Sequence, residues 1–286
     1  MVSLGVCSMV LGDFGECCVI PRDIFEDSMT AIAIVHTAHG FVIAADGRLR
    51  FDDESRLQIS TQARAIMETE TQQKIFQLLA PYEKLTYALR GTIRDPRGYD
   101  LLKITESQMK AVSTRRFDDS LSYLKVLGGR INRQINEARR DGTFETFPQT
   151  KKMEGTAAWH IASLHFCGYF DNEPCLGQID FFYYSGDAQF NVHLPQLRSA
   201  WMFGSEIVTQ RLYGDGFADF IKGITPEPTL ENAKIFAQGY IEACSSPLGL
   251  EVDEPNCKGI GGHIHMATIT KSDGFTWVIK PVVQQR

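Results

Sequence analysis

The amino-acid sequence predicts an α+β protein in which two sheets pack face to face with helices outside. Strand-like and helix-like segments come in blocks: strands, two helices, strands, two helices, strands. Segregated blocks of this kind argue for stacked sheets rather than alternating βαβ units. The first strand candidates are also apolar along their whole length, as strands covered on both faces are. A chain of 286 residues with 43% hydrophobic content is long enough for one large core or two modest ones.

Residues 1–28 carry no sustained hydrophobic period and mix Gly, Cys17-Cys18, Pro21 and charged residues. From Thr30 the pattern turns to β. Ala31–His36 and Phe41–Ala45 are Ile- and Val-rich runs joined through Ala38-His39-Gly40, a hairpin pattern. Strands are expected at Lys74–Leu79 and Leu85–Leu89, the second running into Arg90-Gly91-Thr92. Asp100–Val112 and Ser120–Arg139 have apolar residues at helical spacing, the latter with Asp118 or Asp119 as its cap. Strands return at Ala157–Cys167, Leu176–Tyr184, Phe190–His193 and Ala200–Phe203. A second helical pair covers Glu206–Ile221 and Leu230–Cys244, with Thr229 at the second N-terminus. The chain closes with His263–Thr270, a Ser272-Asp273-Gly274 turn and Phe275–Val283.

Composition excludes several roles. The formal net charge is −6 and no basic cluster stands out, so nucleic-acid or anionic-membrane partners have no electrostatic support. No apolar run approaches the roughly 20 residues that span a bilayer, and the N-terminus lacks the basic start of a signal peptide. The seven cysteines are odd in number and without metal-type spacing, which fits reduced thiols and a cytoplasmic location. His263 and His265 alternate on a strand and share a face, but lack a third convergent ligand, so they read as packing residues. Glu106, Asp118-Asp119 and Arg139-Arg140-Asp141 read as solvated helix faces.

The chemistry concentrates at Thr30, which follows Met29. A threonine that becomes the chain terminus holds a nucleophilic hydroxyl and a basic amine in one residue. Asp46 stands sixteen positions after Thr30, and Arg48 two further on. With Gly40-Phe-Val-Ile-Ala-Ala-Asp46-Gly47-Arg48, this hairpin resembles the start of a proteasome β-type subunit or of the bacterial proteasome-like peptidase subunit. Further motifs follow in that family's order: Gln73-Lys74-Ile75-Phe76-Gln77, Arg90-Gly91-Thr92-Ile93-Arg94-Asp95, Phe203-Gly204-Ser205 and Ile260-Gly261-Gly262-His263. Two departures stand beside them. An insertion containing Asp52-Asp53-Glu54 separates Arg48 from Lys74. The Asp and Ser that usually precede the glycine pair are replaced, on aligning the glycines, by Cys257 and Ile260. Asp253 or Asn256, within the inserted Ser245–Lys258, are the alternatives for the same hydrogen bonds.

The resemblance implies a four-layer αββα sandwich of the N-terminal-nucleophile hydrolase type over residues 30–286. Residues 1–29 would be an N-terminal extension, either a propeptide or the result of a true start at Met29, whose removal exposes Thr30. It implies a cytoplasmic threonine-type endopeptidase with Thr30 as nucleophile, Asp46 and Lys74 tuning it, Gly91 as oxyanion donor and Ser205 assisting the terminal amine. Leu49, Gln72, Leu89 and Ile93 would line a largely apolar substrate pocket. No cofactor or metal is called for. The partners implied are peptides or unfolded proteins, further copies of the chain in a homo-oligomeric ring, and an ATPase unfoldase. A non-catalytic subunit of the same fold and a small-molecule amidase are the rival readings. Taken singly, the residues have plain ones: Thr30 as a β-former, Asp46 as a turn residue, Lys74 as a solvated strand end, Gly91 as a tight turn.

Overall fold

The protein is described by a computed structural model over residues 30–48, 69–91, 93–94, 97–144, 158–197, 200–213 and 229–282. The expectations placed on residues 1–29 and on Leu49 therefore lie outside the described residues. Two five-stranded antiparallel sheets form the centre. The first has the order β10-β9-β2-β1-β8, built from β1 (Ile32–Thr37), β2 (Gly40–Ala45), β8 (Ala200–Phe203), β9 (His265–Thr270) and β10 (Gly274–Ile279). The second has the order β3-β4-β5-β6-β7, with β3 (Ile75–Gln77), β4 (Leu85–Gly91), β5 (Ala158–Phe170), β6 (Glu173–Tyr184) and β7 (Asp187–His193).

Side-chain alternation assigns each face a layer. In β1 and β2, Ala31, Ala33, Val35, Val42 and Ala44 point outward to helix α4 (Leu230–Cys244), which meets them with Ala233, Phe236, Ala237 and Tyr240. Small residues on both sides let the helix approach the sheet closely. Ile32, Ile34, Phe41 and Ile43 point the other way and meet Ile75, Ala88, Cys167 and Leu176 of the second sheet. These strands are apolar along their length because both faces are covered.

The outer face of the second sheet carries helices α1 (Leu101–Ser113) and α2 (Ser120–Arg140). Leu124, Leu127, Ile131 and Ile135 of α2 pack with Phe166, Ile179 and Phe181. The architecture is thus the expected αββα sandwich. Each large side chain buried this way contributes about 1.5–3 kcal/mol.

The expected caps are present: Asp100 accepts from the Lys103 amide at 3.1 Å, Asp119 from Ser122 at 2.7 Å and Thr229 from Asn232 at 3.2 Å. The differences are local. β3 is shorter than the expected Lys74–Leu79: the Lys74 carbonyl still accepts from the Leu89 amide at 3.0 Å, but its own amide goes to the His265 ring at 2.9 Å and its ammonium turns to the opposite sheet. Of the helix expected over 206–221, α3 (Glu206–Tyr213) is described and the remainder falls outside. The insertion before Gly261 forms two short helices that were not expected, α5 (Pro247–Val252) and α6 (Glu254–Cys257). Their signal was readable: Ser246 caps the Gly249 amide at 3.1 Å and Pro247 opens the first turn.

Candidate active site

The β1–β2 hairpin sets the site. Its register pairs Ile32 with Ala45, so Thr30 and Asp46 emerge side by side at the strand ends. The Asp46 amide donates to Ala31 O at 3.1 Å, and the Ala31 amide donates back to Asp46 Oδ1 at 2.9 Å. Lys74, just ahead of β3, reaches over from the second sheet. Its Nζ donates to Asp46 Oδ1 at 2.9 Å and to Thr30 Oγ1 at 3.2 Å. The other carboxylate oxygen, Oδ2, accepts from the amides of Gly261 at 3.2 Å and Arg48 at 3.3 Å. Asp46 and Lys74 are each fully buried and Thr30 is 5% exposed.

Burial dominates the electrostatics. It lowers the pKa of the Lys74 ammonium, with the Asp46 carboxylate opposing. It raises that of the Asp46 carboxyl, which Lys74 and the amides of Gly261 and Ala31 pull back down. The result is an amine that gives up its proton more readily than an ordinary lysine, held against a hydroxyl. His265 enters here as well. Its Nε2 accepts from the Lys74 amide at 2.9 Å, and burial with the nearby ammonium pushes its pKa down to about 3, so the ring is a neutral acceptor. On its strand pattern alone His265 is a packing residue; its contact with Lys74 joins residues 191 apart and leaves no local signal.

A second polar group sits beside the first. Because Ile32 pairs with Phe203, continuing the β1–β8 register brings Ser205 level with Thr30. The Ser205 hydroxyl donates to Asp253 Oδ2 and accepts from the Val208 amide at 3.0 Å. Asn256 Nδ2 donates to both Asp253 oxygens, at 3.0 and 3.1 Å. Asp253, at the α5–α6 junction, thus supplies an acidic partner for Ser205, and Cys257 packs beside both in the core under α4.

Arg48 ties the glycine pair to this corner. Its guanidinium bonds Glu70 at 2.8 Å and Ile260 O at 3.0 Å, and its own amide bonds Gly261 O at 2.9 Å. Gly261 has φ +147°, and a Cβ there would lie 2.6 Å from the Arg48 guanidinium carbon. A side chain would push Arg48 away.

The remaining expected residues are not all gathered here. Gly91 ends β4, two residues beyond Leu89, whose amide donates to Lys74 O at 3.0 Å. Its φ is +100° and a Cβ would meet Ile161 O at 2.5 Å. Leu89 and Ile93 are only 1% and 2% exposed, in the core beneath α1 and α2. Gln72 is 9% exposed and donates to Gln73 O at 2.9 Å. None of these three lines the groove of about 640 Å³ on the helix side of β3, which is bounded by Gln73, Phe76, Tyr87, Met109 and Lys110 among others.

No protein-family model matches the chain, and no curated protein does. Solved structures do. Similar structures include Anbu proteins. They include the helical assembly of the Anbu complex from Pseudomonas aeruginosa, 13% identical over 90% of this chain and 88% of that one, TM-score 0.48. The Anbu (Gly-1) mutant from Hyphomicrobium sp. strain MC1 is 15% identical over 86% and 84%, TM-score 0.47. Anbu, described as an ancestral beta-subunit, from Yersinia bercovieri is 13% identical over 87% of each chain, TM-score 0.47.

These findings correct the resemblance drawn from the motifs. No family model or curated protein of the proteasome β-type or bacterial proteasome-like peptidase subunits matches the chain, and the similar structures named above are Anbu proteins, a distinct family. Among the described residues no helix is long and apolar enough to cross a membrane.

Proposed function

We propose that the protein is a threonine-type hydrolase that cleaves peptide amides with Thr30 as an N-terminal nucleophile. The observation that supports it is the buried contact of Lys74 Nζ with both Thr30 Oγ1, at 3.2 Å, and Asp46 Oδ1, at 2.9 Å. A fold gains little stability from a buried ion pair of this kind, because desolvation cancels much of the attraction. Placing one against a hydroxyl has a chemical use.

In the proposed reaction the α-amine of a freed Thr30 takes the hydroxyl proton as Oγ attacks the scissile carbonyl. Lys74 lowers the proton affinity of both groups, and Asp46 holds Lys74 in place. The Gly91 N–H faces the carbonyl oxygen as it gains charge, where one donor is typically worth about 10²–10³ in rate. The C–N bond then breaks, the leaving amine takes the proton held by the Thr30 amine, and water hydrolyses the Thr30 ester. Ser205, backed by Asp253, orients the amine. Thr30 becomes terminal either by removal of residues 1–29 or by a start at Met29 followed by methionine removal. Peptides or unfolded proteins are the substrates, acted on by a homo-oligomer in the cytoplasm, with an ATPase unfoldase as feeder.

Fluorogenic peptide amides test this. The protein with a mature Thr30 end is expected to hydrolyse them, and Thr30→Ala to abolish turnover. Equal turnover by the variant contradicts the reading. A folded oligomer without turnover or Thr30 labelling would instead be a non-catalytic subunit of the same fold.

A further inference from the structure

The geometry points to His160 as a positioning residue for Gly91, held by a hydrogen-bonded chain through Ser163 to Asp180; this rests on the threonine-nucleophile reading above. Gly91 pairs with Ala162 of β5, and the β5–β6 register slips between His160 and Ala162, leaving Ile161 as a bulge. Bulges re-aim side chains and cluster near active sites. This one turns His160 onto Gly91: a Cβ at Gly91 would lie 3.2 Å from His160 Cε1, with Ile161 O and Ala162 Cα closer still at 2.5 and 2.7 Å. The bulge backbone and the imidazole ring thus both border the side of Gly91 where a Cβ would stand, and leave it no room to shift that way.

The ring itself is fixed from behind. His160 Nε2 lies 2.7 Å from Ser163 Oγ, and Ser163 Oγ donates to Asp180 Oδ1 at 2.5 Å. With its only proton given to Asp180, the Ser163 hydroxyl must accept from His160, so Nε2 carries the ring proton. Gln178 Nε2 donates to the same Asp180 oxygen at 2.5 Å and holds the carboxylate in place. Burial and the Arg90 charge push the His160 pKa down to about 3, so the ring stays neutral and one tautomer persists. The order of the chain rules out a second nucleophile. In a Ser-His-Asp triad the histidine stands between serine and carboxylate and takes the serine proton, whereas here the serine stands in the middle and spends its proton on the carboxylate. Ser163 is also 2% exposed and beyond a substrate's reach. What this chain can do is hold one peptide plane still. An oxyanion donor needs that, since a displacement of about 1 Å can cost roughly 10²-fold.

The test separates the oxyanion donor from the nucleophile in the oligomer with a mature Thr30 end. A peptide aldehyde forms a tetrahedral adduct whose oxygen needs the donor, whereas a peptide vinyl sulfone alkylates Thr30 without one. His160→Ala is expected to lower kcat for peptide amides about 10- to 100-fold, leave KM within about 2-fold and weaken aldehyde inhibition in parallel. Its rate of vinyl sulfone alkylation should stay within about 2-fold of the unaltered protein. His160→Gln, whose amide can still donate to Ser163, should recover most of the loss. Ser163→Ala keeps the ring but frees it, and should show the same pattern more weakly, which covers the case that His160→Ala does not fold. Unchanged kcat and aldehyde inhibition in both variants overturns the assignment, as does an equal fall in vinyl sulfone alkylation. Failure of the unaltered protein to alkylate at Thr30 overturns the threonine-nucleophile reading, and this one with it.

Discussion

Two buried polar corners of the sandwich are built in opposite ways. At the Thr30 corner every oxygen of Asp46 is occupied: Oδ1 by Lys74 and the Ala31 amide, Oδ2 by the amides of Gly261 and Arg48. At the other, His165 is fully buried with neither ring nitrogen hydrogen-bonded, its ring centroid 3.7 Å from that of Phe203 and edge-on to Trp201. Both arise from strands facing the space between the sheets, yet one keeps a charge pair and the other a neutral ring among aromatics. Burial and the charge of Arg90 hold the His165 pKa well below its ordinary value. Between its sheets this fold thus tolerates a ring whose nitrogens have no hydrogen-bond partner. Where it keeps a charged pair, with every lone pair assigned, the arrangement serves the hydroxyl beside it.

Breaking the charge pair should have the largest effect. Lys74→Ala leaves Asp46 buried and uncompensated, and the expected loss is about 3–5 kcal/mol in denaturant unfolding along with all hydrolysis. Adding Asp46→Asn to that variant should recover much of the stability but none of the activity. Recovery of activity would contradict the role given to Lys74. Next in size, Asp253→Asn weakens a charge-assisted bond to Ser205, with an expected loss of about 1–3 kcal/mol and slower turnover. If turnover is untouched, Asp253 merely fastens the α5–α6 junction.

The His165 corner should respond least. His165→Phe replaces unpaired nitrogens with carbon, and its melting temperature at pH 7.5 should change by no more than about 1 kcal/mol equivalent, in either direction. Its signature is acid sensitivity. His160 and His265 have folded pKa values near about 3 and His165 lies well below normal, against about 6.5 unfolded. Below about pH 6.5 the unfolded chain binds more protons. The stability these rings contribute is thus complete above that pH and lost as pH falls toward about 3, by at most about 1.4 kcal/mol per pH unit for each ring. His165→Phe should flatten that decline, read as melting temperature from pH 7.5 down to 4.5. An unchanged slope means His165 does not stay neutral.

Part of this was legible in the chain alone. The Thr30–Asp46 pairing follows from one hairpin with whole-length apolar strands, so local pattern sufficed there, whereas Lys74 read locally as a solvated strand end and stood out only through the family resemblance. Asp253 and Asn256 stood out only as alternatives within an insertion, because nothing local says which of them faces Ser205. Glu70 and His265 were invisible, since each meets its partner only when distant segments close on one another. Leu89 and Ile93 read equally well as pocket lining or as core, and the sandwich buries both beneath α1 and α2.

The central claim is that Thr30 acts as a chain-terminal nucleophile. A peptide epoxyketone tests it most directly, because a stable ring adduct needs both the hydroxyl and the free amine of one terminal residue. N-terminal sequencing and intact mass before and after treatment should show a chain beginning at Thr30 that gains one inhibitor mass. Thr30→Ala should gain none. A protein that retains residues 1–29 and stays unmodified would contradict the claim.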